Sequence, residues 1–219
     1  MITQHTTVVR RDGDKEISRV ADEVQLYTVN ELKEQFPDAY EKAYRQWTEY
    51  ALDYEWWDCT YNFIVSAAEA IGISIGQGRN RRFDISFEGF YSQRDGAAWG
   101  GSYMYAKGAH KAVRKLAPEA RELHRIADKL YEIQRHNGYG LYATVEQGRS
   151  TCASGLRVRV YREGGELQDH VEDAVDGLMR DFANWIFYTL RAEYEFQLTK
   201  EQFDEASYDD YFTEDGVRR

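Results

Sequence analysis

Two cysteines and two prolines in 219 residues set the first limits. The thiols of Cys59 and Cys152 are too few for a disulfide framework or a four-cysteine zinc site, so a reducing, intracellular compartment is the expected setting. So little proline, beside 15% aromatic and 42% hydrophobic residues, excludes a low-complexity linker or a disordered chain. No run approaches the roughly 20 apolar residues that span a bilayer, so no membrane partner is expected. The first residues, MITQHTTVVRRDGDKE, lack the apolar centre of a signal peptide. The expectation is a soluble chain able to bury an ordinary core, read as a single α+β domain over 1–219 with 1–20 and 207–219 as flexible ends.

What the chain has in quantity is charge, unevenly placed. Residues 1–78 carry 7 basic and 14 acidic side chains, residues 79–162 carry 16 and 8, and residues 163–216 carry 3 and 16, within a net charge of −10. Such segregation commonly reflects solvated faces that pair with one another on folding, and it also creates fields that steer charged partners. The basic middle suits phosphates. The acidic C-terminal third, including Asp169, Glu172, Asp173 and Asp176, suits a basic protein surface or the imitation of nucleic acid.

Periodicity supplies the fold class. Residues 21–29 read as a short strand, with a helix start at Asn30 and a second start at Asp38 after Pro37. From Tyr40, the residues Tyr44, Trp47, Tyr50, Tyr54, Trp57, Tyr61, Ile64 and Ala68 recur in steps of three and four, which predicts one long helix with an aromatic, core-facing seam. In RFDISFEGF, Phe83, Ile85 and Phe87 alternate with polar residues as in a half-buried antiparallel strand; Asp95-Gly96 marks a turn, and AAWGGSYMY resumes as a glycine-broken strand. Helices are expected over 107–117 and 118–136, with Pro118 in the first turn of the second and Asn137-Gly138 closing it. Leu141, Ala143 and Val145, then Leu156, Val158 and Val160, predict a hairpin that leaves Arg157, Arg159 and Tyr161 on its open face. Val171, Val175, Leu178, Phe182, Trp185 and Leu190 mark the apolar side of a long helix ending near Tyr194, and a short helix follows at TKEQFDEA. About four strands without regular βαβ alternation indicate an antiparallel sheet covered on one face by helices.

Motifs for chemistry are sparse. Gly72-Ile73-Ser74-Ile75-Gly76 fits the G-x-S-x-G of a nucleophile elbow, but that elbow needs a strand before the serine and a helix after it, and here the order is reversed. Gly76-Gln77-Gly78 runs into Arg79, Asn80 and Arg81 rather than a third glycine, so no phosphate cradle is expected. The five histidines are scattered without a metal-ligand pair, and no acid pair sits in an apolar setting that would raise a pKa. No catalytic residue, cofactor or metal is therefore assigned. The basic alternative is a nucleic-acid surface built from Arg79, Arg81, Arg82, Arg121, Arg125, Lys129, Arg157 and Arg159, with Tyr142 and Tyr161 as exposed π-faces. Candidate protein contacts are the turn Ser92, Gln93, Arg94 and Asp95, the acidic residues named above, and Trp56, which lies off the Trp57 stripe.

EWWDCTYNF, DISFEGFYSQRDGAAWGG, RAEYEFQLTKEQFDE and YFTEDG occur in an order that resembles a family of small, mostly uncharacterised proteins of tailed bacteriophages and prophages, some labelled antitoxin. The blocks span about residues 50–216. That family carries Gly where this chain has Arg94, a difference that argues against a φ > 0 turn at that position or displays an arginine at the tip. The resemblance implies a phage setting and the cytoplasm of the bacterial host. The reading that follows is a non-enzymatic accessory protein that binds and inhibits or regulates a host protein, anti-defence being one such role. Nucleic-acid binding, an antitoxin, or a small hydrolase with a site assembled from the Ser92–Asp95 loop and a distant His are the alternatives.

Overall fold

A computed structural model describes residues 2–12, 15–53, 55–78 and 82–219, with side chains from Val24 onward. β1 (Ile2–Asp12) and β2 (Lys15–Thr28) lead into α1 (Val29–Gln35), α2 (Pro37–Thr48) and α3 (Asp58–Ala70). Then come β3 (Ile73–Ile75), β4 (Ile85–Glu88), β5 (Gly96–Trp99), β6 (Gly101–Met104), α4 (Ala109–Leu116) and α5 (Arg121–His136). β7 (Leu141–Glu146), β8 (Arg157–Arg162), α6 (Asp169–Gln197), α7 (Lys200–Ala206) and β9 (Tyr211–Phe212) complete the order. All strand pairings are antiparallel among the described residues, so the class is α+β. The chain divides into two compact units, residues 1–56 with 194–219, and residues 57–193.

In the first unit β1 pairs along β2 from Ile2–Leu26 to Asp12–Lys15, and β9 adds to β2 through Tyr27–Phe212 and Thr28–Tyr211. The helix after β2 starts at Val29, one residue earlier than the sequence suggests. Thr28 is its N-cap, accepting from Glu31 N–H while the Glu31 carboxylate accepts from Thr28 N–H, a reciprocal capping box that Asn30 cannot supply. Tyr27, Tyr40, Trp47, Phe203 and Phe212 form one buried cluster, with Phe203 ringed by Tyr40 at 5.4 Å, Trp47 at 5.5 Å and Phe212 at 6.2 Å. Burial, reinforced by a 2.7 Å hydrogen bond to Asp204 Oδ1, holds the Tyr40 hydroxyl protonated far above its ordinary range.

In the second unit β3, β6, β7 and β8 form a four-stranded sheet in the order β3-β6-β7-β8, and β4 pairs with β5. Leu141, Ala143, Val145, Tyr103, Ile73 and Val160 lie on the buried face, as the alternation predicts for β7 and β8. Gln134 of α5 is fully buried there. Its Nε2 donates to Leu141 C=O at 2.7 Å and to the Tyr103 hydroxyl at 3.2 Å, while its Oε1 accepts from Leu141 N–H. Burial pushes the Tyr103 hydroxyl up to about 12. Trp99 is also fully buried, its ring edge-on to Phe182 at 5.3 Å and its Nε1 donating to Met179 C=O of α6.

Other expectations are corrected. The aromatic stripe from Tyr40 to Ala68 is two helices, α2 and α3, and Tyr50 between them is exposed. Three-and-four spacing continues through a break in register because it records only which side each helix buries. Pro118 sits in the turn between α4 and α5 rather than in the first turn of α5. AAWGGSYMY is two strands of different sheets, parted at Gly100, where a side chain would collide with the Asp84 carboxylate. Phe83, Ile85 and Phe87 are half-buried rather than core.

Candidate functional site

The strand-turn-strand block is built by its own polar groups. Asp95 Oδ2 accepts from Tyr91 N–H at 2.6 Å and Ser92 N–H at 2.5 Å, so this carboxylate ties the turn together. Gly89 takes φ +58° directly against that carboxylate, where a side chain has no room. Ser92, Gln93 and Arg94 stand exposed at the tip, and Arg94 is not among the residues with positive φ. The hairpin is tied to the β7–β8 loop through Ser86–Gln147 at 2.5 Å, Gln147–Asp84 at 2.7 Å and Thr151–Glu88 at 2.8 Å. Cys152 in that loop lies within 2.9 Å of Ser150 Oγ and 3.0 Å of Ser154 Oγ, and these hydrogen bonds lower its thiol pKa. Ser74 of the G-x-S-x-G sequence lies mid-strand in β3, opposite Ser102.

An open apolar groove of about 920 Å³ lies on the second unit. One wall is α3, presenting Cys59, Thr60 and Phe63; a second is the end of α4 and the turn into α5, with Leu116 and Pro118; the third is α6, with Trp185, Tyr188 and Ala192. Phe63, Leu116 and Tyr188 are 38%, 45% and 62% exposed, although each is large and apolar. Phe63 and Trp185 meet at 6.2 Å between ring centroids. The charged lining is Glu119, Arg121, Glu122 and Glu193, net negative. The Arg125 guanidinium bonds both Glu122 and, at 2.7 Å, Asp181 of α6, which lowers the Glu122 pKa. The sequence reading missed this groove because its walls come from segments far apart in the chain. A signal was available: Phe63 and Tyr188 are large aromatics off the apolar stripes of their own helices.

The charged residues singled out from the sequence do not converge. Arg79 and Arg81 lie outside the described residues, and Arg82 is exposed. Arg121, Arg125 and Lys129 belong to α5, whereas Arg157 and Arg159 stand on the outer face of the sheet. On α6, Asp169, Glu172 and Asp173 are exposed, while Asp176 is held by Arg180, whose guanidinium also bonds Ala153 C=O and Leu156 C=O. Trp56, in the first unit, is half-buried with its ring edge-on to Tyr194 at 5.7 Å. Among the described residues no group of three or more His, Cys, Asp or Glu is placed to hold a metal ion. No helix among them is long and apolar enough to cross a membrane.

No curated protein and no solved structure matches the chain. Residues 56–200, 145 of the 219, match a family described as Domain of unknown function (DUF8835), a span that contains the whole 57–193 unit and both the turn block and the groove. The chain belongs to that family.

Proposed function

We propose that this chain is a non-enzymatic binding protein that takes an apolar segment of a partner protein into the α3, α4–α5 and α6 groove. The observation that carries the reading is the convergence of Phe63, Leu116 and Tyr188, all exposed, on one groove of about 920 Å³. Contiguous apolar surface of this kind is costly to leave in water, and each large side chain moved into an interface contributes roughly 1.5–3 kcal/mol. The negative lining of Glu119, Glu122 and Glu193 around Arg121 selects a segment flanked by basic residues, although of these only Glu193 belongs to the acidic C-terminal third. The resemblance to tailed-phage proteins supports a partner from the bacterial host, bound stoichiometrically in its cytoplasm and inhibited or regulated by that binding. Host-defence complexes are the class of target this setting favours.

Cys59, exposed at the lip of the groove, provides the test. A photo-crosslinking maleimide on Cys59 in a Cys152→Ser background is expected to capture one host protein from nuclease-treated bacterial lysate, identified by mass spectrometry. Phe63→Asp and Tyr188→Asp are expected to abolish the capture. An unchanged capture in both variants, or no captured protein, removes the groove as the binding site.

A further inference from the structure

The outer face of the four-stranded sheet is a second surface, separate from the groove, and its composition is unlike that of a merely solvated sheet. Alternation along β7 and β8 sends Tyr142, Thr144 and Glu146, and Arg157, Arg159 and Tyr161, away from the helices. The register sets these in rows across the strands. Met104, Tyr142 and Tyr161 form one row, and Ser74, Ser102, Thr144 and Arg159 form the next. Glu146 faces Arg157 in the third.

The first row is apolar and exposed: Met104 is 64% exposed, Tyr142 41% and Tyr161 38%, and the two rings stack with centroids 5.0 Å apart and planes 15° from parallel. A cross-strand aromatic pair steadies a sheet by roughly 0.2–1 kcal/mol, so sheet stability alone accounts for the pair. It does not account for the arginines. Glu146, the register partner of Arg157, lies 3.9 Å from Arg159 in a pair whose side chains are both more than half exposed. Screening by solvent leaves such a pair nearly uncoupled, so this face of an acidic protein is locally positive.

We propose that this face binds single-stranded nucleic acid. Unpaired bases continue the Tyr142–Tyr161 stack, phosphates meet Arg157 and Arg159, and the hydroxyl row of Ser74, Ser102 and Thr144 donates to the sugar-phosphate backbone. Tyr161 stands on β8, the edge strand of the sheet, and is 38% exposed. A duplex hides the faces of its bases and cannot make this stack, whereas a single strand offers both π-faces and charge. Charge complementarity and stacking thus point to the same ligand from independent side chains. The inference does not depend on the groove.

The test is fluorescence anisotropy with labelled oligo-dT and oligo-rU of about 12 nucleotides, with duplex DNA and inorganic polyphosphate as competitors, at salt from about 50 to 200 mM. Both single strands, or one of them, are expected to bind, and the difference between them identifies DNA or RNA as the source of the ligand. Arg159→Gln is expected to weaken binding several-fold and to lower the salt slope by about one. Tyr161→Leu is expected to weaken it by about 5- to 100-fold at unchanged slope, with Tyr161→Phe close to the parent. Arg159→Gln lies on an exposed position and keeps the test open should Tyr161→Leu unfold, which a circular-dichroism melt reports. Absence of binding at low salt, equal competition by duplex or polyphosphate, or full affinity in a folded Tyr161→Leu protein overturns the proposal.

Discussion

The two compact units spend their aromatic residues differently. In the first, Tyr27, Tyr40, Trp47, Phe203 and Phe212 are gathered into one buried cluster. In the second, Trp99 and Phe182 supply the aromatic centre of the core, while Phe63, Tyr188, Tyr142 and Tyr161 are displayed on the groove and on the sheet. The matched family span covers every one of the displayed residues and none of that first cluster, since residues 27–47, 203 and 212 fall outside 56–200. Aromatic content therefore says little by itself about whether a residue stabilises or recognises. What separates the two uses is whether the rest of the unit closes over the ring.

If that division is right, truncation should hurt stability in one set and binding in the other. The largest effect is expected for Phe203→Ala, which empties the centre of the first cluster and should cost about 3–5 kcal/mol in urea unfolding. A loss below about 1 kcal/mol would break the comparison, because the cluster would then not be what holds that unit. Next in size is Gln134→Leu in the second unit. It deprives Leu141 N–H and C=O and the Tyr103 hydroxyl of a buried partner, and about 1–3 kcal/mol is expected from the same measurement.

How much of this was legible depends on how local the signal is. The hairpin of β7 and β8 follows from strict alternation, with Leu141, Ala143 and Val145 buried as their positions require, and α6 buries the whole stripe from Val171 to Leu190. Those elements carry their own pattern. β9 has only two residues, and β3 has three, so neither is long enough to show a period. The division of the aromatic stripe at residues 49–57 left no trace in its spacing, because both helices bury aromatic residues at the same period. For the candidate surfaces the limit is similar. Arg157, Arg159, Tyr142 and Tyr161 were readable as one open face because neighbouring strands of a hairpin share a register. The groove was not, since Phe63, Leu116 and Tyr188 come from three helices and only their packing brings them together.

Tyr188→Ser sharpens the comparison from the other side. The ring is mostly exposed, so the unfolding free energy is expected to stay within about 0.5 kcal/mol of the parent, while photo-capture from Cys59 is lost. A large stability loss would place Tyr188 with the structural aromatics instead.

The smallest expected effect is electrostatic and concerns the wall of the groove. Arg125 bridges Glu122 to Asp181, joining α5 to α6, and its hydrogen bonds hold the Glu122 carboxyl below the ordinary 4.5. A carboxyl whose native pKa is depressed contributes stability that is complete above its unfolded value and is lost as the pH falls through the native one. The Glu122 contribution should thus be present in full above pH 4.5 and fade below it. All three side chains are at least a third exposed, so solvent and salt screen the cluster, and the contribution is expected to stay under about 1 kcal/mol. Urea midpoints of the parent and Glu122→Gln, compared at about pH 6 and pH 3, provide the measurement. The variant should be the less stable of the two at the higher pH and should converge on the parent at the lower. A gap that persists at low pH would mean that Glu122 supports the groove through packing rather than through its charge.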